Sequence, residues 1–240
     1  MDLEGGCWVG DKIFWISSHG RNKDGEVRPS RQILFATTCT KTEKGFDMKP
    51  VGRPYRLLLV DLAMEPRFRS FKLDEASRRA PKTPGALNIE GLCATPEKKL
   101  LIGFRNPLPQ SQALLIPLEN PEGVIAGQRA KFGDPILLPL DGLGVRDIAF
   151  WRGQYLIIGG AVDGQLKSEL FLWAGKGSNP KRVDWLEPKN FNPEALIVYE
   201  SRDAFQVLSD DGTRRIGTES CKHLKDPKDR RFRSVWVNPD

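Results

Sequence analysis

No run in this 240-residue chain approaches the ~18 consecutive apolar residues that a membrane-spanning helix needs. Residues 1–10 also lack the basic and then apolar layout of a secretory signal. The expectation is a cytoplasmic chain with no membrane partner, with export arising only if the natural start lies earlier. Histidine is scarce, with two, and the four cysteines show no C-x-x-C spacing. Structural zinc of the usual kind is therefore excluded. Cys7 and Cys93 fall at the same place in two repeats, too far apart for a disulfide, so the cysteines read as buried thiols of a reducing compartment. Also missing are a phosphate-binding G-x-x-x-x-G-K-[ST] loop, a G-x-S-x-G elbow, an H-E-x-x-H pair and a G-x-G-x-x-G turn. These absences remove the common nucleotide, hydrolase-fold and zinc-protease signatures.

Positive charge is in excess, at +6, and clusters in 225–233. Asp226 and Asp229 interrupt that run, and interleaved charge is the mark of a solvated loop, so nucleic acid is not expected as a partner.

What the chain does have is a repeat. Leu3-Glu4-Gly5-Gly6-Cys7, Ile89-Glu90-Gly91-Leu92-Cys93, Arg146-Asp147-Ile148-Ala149-Phe150 and Pro193-Glu194-Ala195-Leu196-Ile197 each place an acid ahead of a strand, turn and strand. Roughly 14 to 16 residues after the acid comes a polar loop: Ser18-His19-Gly20-Arg21, Arg105-Asn106-Pro107, Val162-Asp163-Gly164 and Asp210-Asp211-Gly212.

Short apolar runs rich in β-branched and aromatic residues, cut by Gly, Pro, Asn and Asp, predict strands over 6–9, 12–17, 32–39, 56–62, 92–94, 100–104, 113–118, 135–140, 147–151, 155–159, 169–173, 182–186, 196–199, 205–208 and 232–237. A short helix is expected near 74–79. Grouped by the repeat, the strands come in fours, the unit of a β-propeller whose blades present their first strands to a central channel. A two-sheet sandwich also yields many short strands, but it does not explain the returning acid. The fold class is all-β, a propeller of four-stranded antiparallel blades over 1–240 as one domain, with about four recognisable blades and atypical closure at the first.

Leu87-Asn88-Ile89-Glu90-Gly91-Leu92, Leu101-Ile102-Gly103-Phe104-Arg105-Asn106-Pro107, Gly144-Val145-Arg146-Asp147-Ile148 and Leu208-Ser209-Asp210-Asp211-Gly212 resemble the bacterial family catalogued as domain of unknown function 3616. Asp2-Leu3-Glu4-Gly5 with Ser18-His19-Gly20-Arg21-Asn22 looks like an earlier motif of that family. The resemblance implies a propeller-like fold, an additional N-terminal segment that this chain lacks, and no assigned activity; it supplies no catalytic residues. The strand at 232–237 is the candidate for closing the ring.

In an antiparallel hairpin the start of the first strand lies beside the end of the second. One mouth of the channel should therefore gather Glu4, Glu90, Asp147 and Glu194 with His19, Arg21, Arg105, Asn106, Arg146, Asp210 and Asp211. Converging carboxylates would suit Ca²⁺ or Mg²⁺, and a metal-assisted phosphate-ester or ester hydrolase similar to the phytase-like propellers is one reading. The other reading, favoured because the acids recur in every blade, is that they brace the repeat. The residues that do not recur, His19, Arg21, Arg105, Asn106, Arg146, Asp210 and Asp211, are the expected binding groups. Arginine suits bidentate contact with carboxylate or phosphate. The leading expectation is a non-catalytic propeller offering a mixed-charge pocket to a small anionic ligand or a partner peptide, with a scaffold without pocket chemistry as the third.

Overall fold

The computed structural model describes residues 2–81, 83–162 and 167–239, and the expected Asp163-Gly164 loop lies outside them. Four antiparallel sheets follow one another along the chain as the blades of a four-bladed β-propeller. Blade one is β1 (Leu3–Val9), β2 (Lys12–Ser17), β3 (Leu34–Thr42) and β4 (Gly45–Tyr55), hydrogen-bonded in that order. An insertion with α1 (Leu58–Met64) and α2 (Leu73–Ser77) leads to blade two, β5 (Asn88–Ala94), β6 (Leu100–Asn106), β7 (Ala113–Leu118) and, after α3 (Pro121–Ile125), β8 (Ile136–Leu138). Blade three is β9 (Gly144–Trp151), β10 (Gln154–Gly160), β11 (Ser168–Trp173) and β12 (Lys181–Val183). Blade four pairs β13 (Pro193–Ile197) with β14 (Phe205–Ser209), makes an excursion through the two-stranded ribbon of β15 (Arg215–Ile216) and β16 (Glu219–Ser220), and ends on β17 (Ser234–Val237) beside β14. The shortfall expected of the first blade thus falls on the fourth, which has three strands in its main sheet.

Burial of short apolar runs explains why these segments are strands. In β2, Phe14 and Ile16 are buried, and Leu34 and Ala36 of β3 pack with them in a core shared with Ile89, Leu92 and Phe104 of blade two. A second core joins blades two and three through Leu101, Leu115, Val145, Ile157 and Trp173. A third joins blades three and four through Trp151, Leu156, Phe205 and Val207. Each full burial of such a side chain is worth ~1.5–3 kcal/mol, so the blade interfaces are where the ring gains its cohesion.

The strand expected over 56–62 is instead the helix α1, and the outer strand of blade one is the preceding β4. Leu58 and Leu62 bury a helical face of the apolar run, whereas β4 extends as an almost wholly exposed hairpin arm that lacks the alternation by which strands are recognised. The outer strands of blades two and three are shorter than expected, three residues each. Helix α2 falls where the short helix was expected. All four cysteines are free, but Cys7 and Cys39 are only half-buried, and Trp8 is exposed. Among the described residues no helix is long and apolar enough to cross a membrane.

Candidate functional site

The first pairs of the four inner hairpins are Leu3 with Ser17, Asn88 with Asn106, Gly144 with Gly160, and Pro193 with Ser209, so one mouth collects these ends. Just inside the mouth each inner strand carries a bulge, an extra residue without a cross-strand partner: Glu4, Glu90, Arg146 and Glu194. The sequence repeat put Asp147 at this position. The pairing of Val145 with Gly159 and Asp147 with Ile158 moves the bulge back by one residue, and three glutamates share the ring with one arginine.

Arg146 is the ring's cation. It is buried, pairs with Glu194 of blade four through Nη2, donates from Nη1 to Asn192 Oδ1 at 2.8 Å, and has Nε 3.7 Å from Glu90 Oε2 of blade two. Gly160 makes this reach feasible, because a Cβ there would stand 2.3 Å from Arg146 Cδ. Arg105 holds the other side of Glu90, with Nη1 2.8 Å from Oε1, while its Nε and Nη2 donate to the Ala161 carbonyl at 3.1 and 2.7 Å. Asn88 Nδ2 also donates to Glu90 Oε1, at 2.6 Å. Glu4 has no such cation. Burial, joined by the Glu90, Asp2 and Glu194 carboxylates, pushes it up to about 9, so it is protonated at neutral pH. Burial likewise raises Glu194, against the opposing pull of Arg146.

Asp147, one step along, faces the next blade. Its Oδ2 accepts from Leu196 N of β13 at 2.7 Å and its Oδ1 from Ile148 N at 2.8 Å. Burial raises it to about 7 despite those two donors. This stitching of neighbouring blades is the bracing role expected of the repeated acids, found at Asp147.

The remaining expected residues separate. His19 is buried, hydrogen-bonds Ser17 O through Nδ1 at 2.7 Å, and is held down at about 4 by burial, so its ring is neutral. It stands outside the mouth cavity. Arg21 ties its loop to α2 and to its own turn, donating to Ser77 O at 3.1 Å and Gly25 O at 2.9 Å. Asn106 is buried, donates to Thr83 O at 3.1 Å and lines the cavity. Asp210 caps its own turn, its Oδ1 accepting from Gly212 N at 2.8 Å. Asp211 anchors the closing strand: its two oxygens take Arg233 Nη2 and Nε at 2.7 and 2.8 Å, and that contact holds its carboxyl below the usual range.

The mouth opens on a cavity of about 480 Å³ lined by Glu4, Asn88, Glu90, Arg105 and Asn106, and by Asn22, Lys23, Asp24 and Arg31 from the loop after β2. Residues 22–25, Asn-Lys-Asp-Gly, resemble a fragment of a calcium loop but lack its remaining ligands, and from sequence they read as a tight turn. Asn22 Oδ1 does cap that turn, accepting from Asp24 N at 3.1 Å and Glu26 N at 2.8 Å, but the same loop forms one wall of the cavity. Among the described residues no three His, Cys, Asp or Glu side chains stand in a metal-holding arrangement. Toward the opposite mouth a cavity of about 360 Å³ is lined by Cys7, Trp8, Cys93, Asp147, Phe150 and Leu196 among others. Burial pushes the Cys7 thiol up to about 12 and the Cys93 thiol well above its usual value, so neither is a ready nucleophile.

Residues 53–203 match the family described as Protein of unknown function (DUF3616). The chain belongs to this family. Its matched segment carries three of the four ring residues, Glu90, Arg146 and Glu194. No protein of curated function matches the chain. Among solved structures it is similar to the WD40 β-propeller domain of Doa1, at 14% identity and a TM-score of 0.34 over 88% of this chain and 63% of that one. It is also similar to a putative oxidoreductase (glucose dehydrogenase) from Thermus thermophilus, at 13% identity and a TM-score of 0.38 over 99% and 97% of the two chains. The phage phi92 endosialidase aligns at 8% identity and a TM-score of 0.38 over 93% of this chain and 37% of that one. The DUF3616 chain thus spans less than two thirds of the WD40 domain it resembles, and the fold assignment stands on its own sheet topology.

Proposed function

We propose that the 240 residues form one propeller domain acting as a non-catalytic binding module, whose mouth cavity receives a short polar segment of a partner chain. One observation carries this reading. The mouth is open and polar, yet the guanidinium groups that line it are already committed, Arg105 to Glu90 and the Ala161 carbonyl and Arg31 to Asp2, with Arg146 beneath them tied to Glu194 and Asn192. An anion that takes Arg105 must displace Glu90, breaking a buried charge pair at a cost of ~3–5 kcal/mol, which leaves the exposed Lys23 as the lining cation without a close acid. A peptide offers donors and acceptors together, which is what the lining of amides, carboxyls and cations can pair with. The volume, about 480 Å³, lies in the ordinary range of small-ligand sites, ~300–1,000 Å³.

The test is selection of a random peptide library on the intact protein, followed by titration of the selected peptides against wild type and an Asn88→Ala, Lys23→Ala double variant. Loss of at least tenfold in affinity on the variant supports the mouth as the site. Peptides that bind both proteins equally, or no selectable peptide at all, would remove the reading and leave a scaffold.

A further inference from the structure

A group of lightly engaged arginines lies away from the mouth, on blade four. Between β14 and β17 the chain leaves blade four, and Arg214, Arg215 and Arg231 surround a concavity of about 270 Å³ together with Asp211, Ile216 and Cys221. Three guanidiniums around one small space repel one another unless an acceptor sits among them. Among the described residues the Arg231 guanidinium has neither an ion-pair nor a hydrogen-bond partner. Arg215 makes one bond, Nη2 to Thr218 O at 2.7 Å, and Arg214 comes no nearer than 3.9 Å to Asp211. Asp211 is engaged elsewhere, accepting from Arg233 at 2.7 and 2.8 Å and from Ser209 Oγ at 2.9 Å. The contrast with the mouth is direct: there Arg105 and Arg146 each have their acid.

The arrangement is built on fixed backbone. Cys221 N donates to Arg214 O at 2.8 Å, while Cys221 Sγ accepts from Arg231 N at 3.1 Å and donates to Arg231 O at 3.2 Å. One buried residue thereby anchors the main chain at both arginines. Lys222 N bonds Gly212 O at 2.9 Å, pinning the other side of the ribbon. Long side chains on anchored bases lose less freedom on gripping a ligand than those on a mobile tail.

We infer that this concavity is a binding site for a small phosphate-bearing compound, whose phosphoryl oxygens are held by Arg214, Arg215 and Arg231. A phosphate group offers several oxygens to the planar forks of arginine, and a cavity of this size admits that group with little more than its nearest substituent. A phosphate presented by a nucleic-acid strand shares the chemistry, but the small concave space favours a phosphomonoester over a polymer.

The experiment is calorimetric titration of the full chain with inorganic phosphate and with adenosine monophosphate, against sodium chloride at matched ionic strength. A single-stranded thymidine oligonucleotide is run in parallel. Saturable binding of phosphate or the monophosphate, weakened at least fivefold by Arg231→Ala and lost in Arg214→Ala, Arg231→Ala, is expected. Arg231→Lys keeps the charge without the fork, and should bind with an affinity between those of wild type and Arg231→Ala. Because these side chains are exposed, unchanged melting temperatures are expected to show that the variants fold. A response no greater than that of chloride, or equal binding by wild type and the double variant, would overturn the inference. So would binding of the oligonucleotide alone.

Discussion

Glu4 is the ring residue with no counter-charge, and its titration gives the mouth a pH dependence. Its pKa is raised from 4.5 in the unfolded chain to about 9 in the folded one, through burial and through Glu90, Asp2 and Glu194. Between those values the folded protein holds a proton that the unfolded chain releases, so this contribution is full below pH 4.5 and declines as pH rises toward 9. Replacing the acid by an amide of the same shape removes that loss. Glu4→Gln is therefore expected to melt about 2–4 °C above wild type at pH 8, for roughly 1 kcal/mol of gain, with the difference vanishing near pH 4. Differential scanning calorimetry at the two pH values checks this, and a Glu4→Gln protein that melts below wild type at pH 8 would show the charged form to be the one the fold uses. The residue scale also marks where sequence reasoning stopped. Glu4, Glu90 and Glu194 could be placed at one mouth from the repeat alone. Arg146 could not be placed in their ring, because the bulge that sets it there is a matter of pairing, and a slip of one residue changes which side chain faces the channel.

The elements themselves were legible where their apolar residues are buried. β2, β10 and β11 are short apolar runs between turn residues, and they form where the pattern predicts. β4 was not legible, since its exposed arm satisfies its backbone through β3 and owes little to side-chain burial. The strand pattern is also silent on how closely the blades approach. Gly91 and Gly103 both face Val145 of blade three, and a Cβ on either would come within 2.8 and 2.7 Å of its Cγ1. The tightest point is Gly144 at the start of β9, where a Cβ would stand 1.8 Å from the Arg105 carbonyl oxygen. Backbone cannot yield there as a side-chain tip can. Gly144→Ala is expected to cost about 3 kcal/mol by forcing β9 away from β6, and to loosen the Arg105 end of the mouth with it. Urea denaturation measures the cost, and a loss under about 1 kcal/mol, the scale of an ordinary surface change, would mean the two strands are not in fixed register.

At the scale of the whole molecule Arg146 is the closest thing to a hub, a cation from blade three that meets acids of blades two and four. It sits where the carboxylates would otherwise repel one another, so the alternative calcium or magnesium reading turns on whether the ring takes a cation beside the arginine. Removing it should expose the conflict it resolves. Arg146→Ala leaves Glu90 and Glu194 facing each other at the channel, and the loss of a buried partner on that scale is ~3–5 kcal/mol. For a domain of this size that corresponds to a fall in melting temperature of roughly 6–20 °C. Added calcium separates the alternatives. Wild type is expected to melt at the same temperature in millimolar calcium and in chelator, since Glu90 is paired with Arg105, Glu194 with Arg146, and Glu4 carries a proton. The Arg146→Ala protein should regain part of its loss in calcium, because freed carboxylates bind a divalent cation and binding to the folded state alone raises its stability by mass action. A wild-type shift of several degrees in calcium would mean that Glu4, Glu90 and Glu194 hold a cation beside the arginine, and the metal-assisted hydrolase would then displace the binding module as the better account of the mouth.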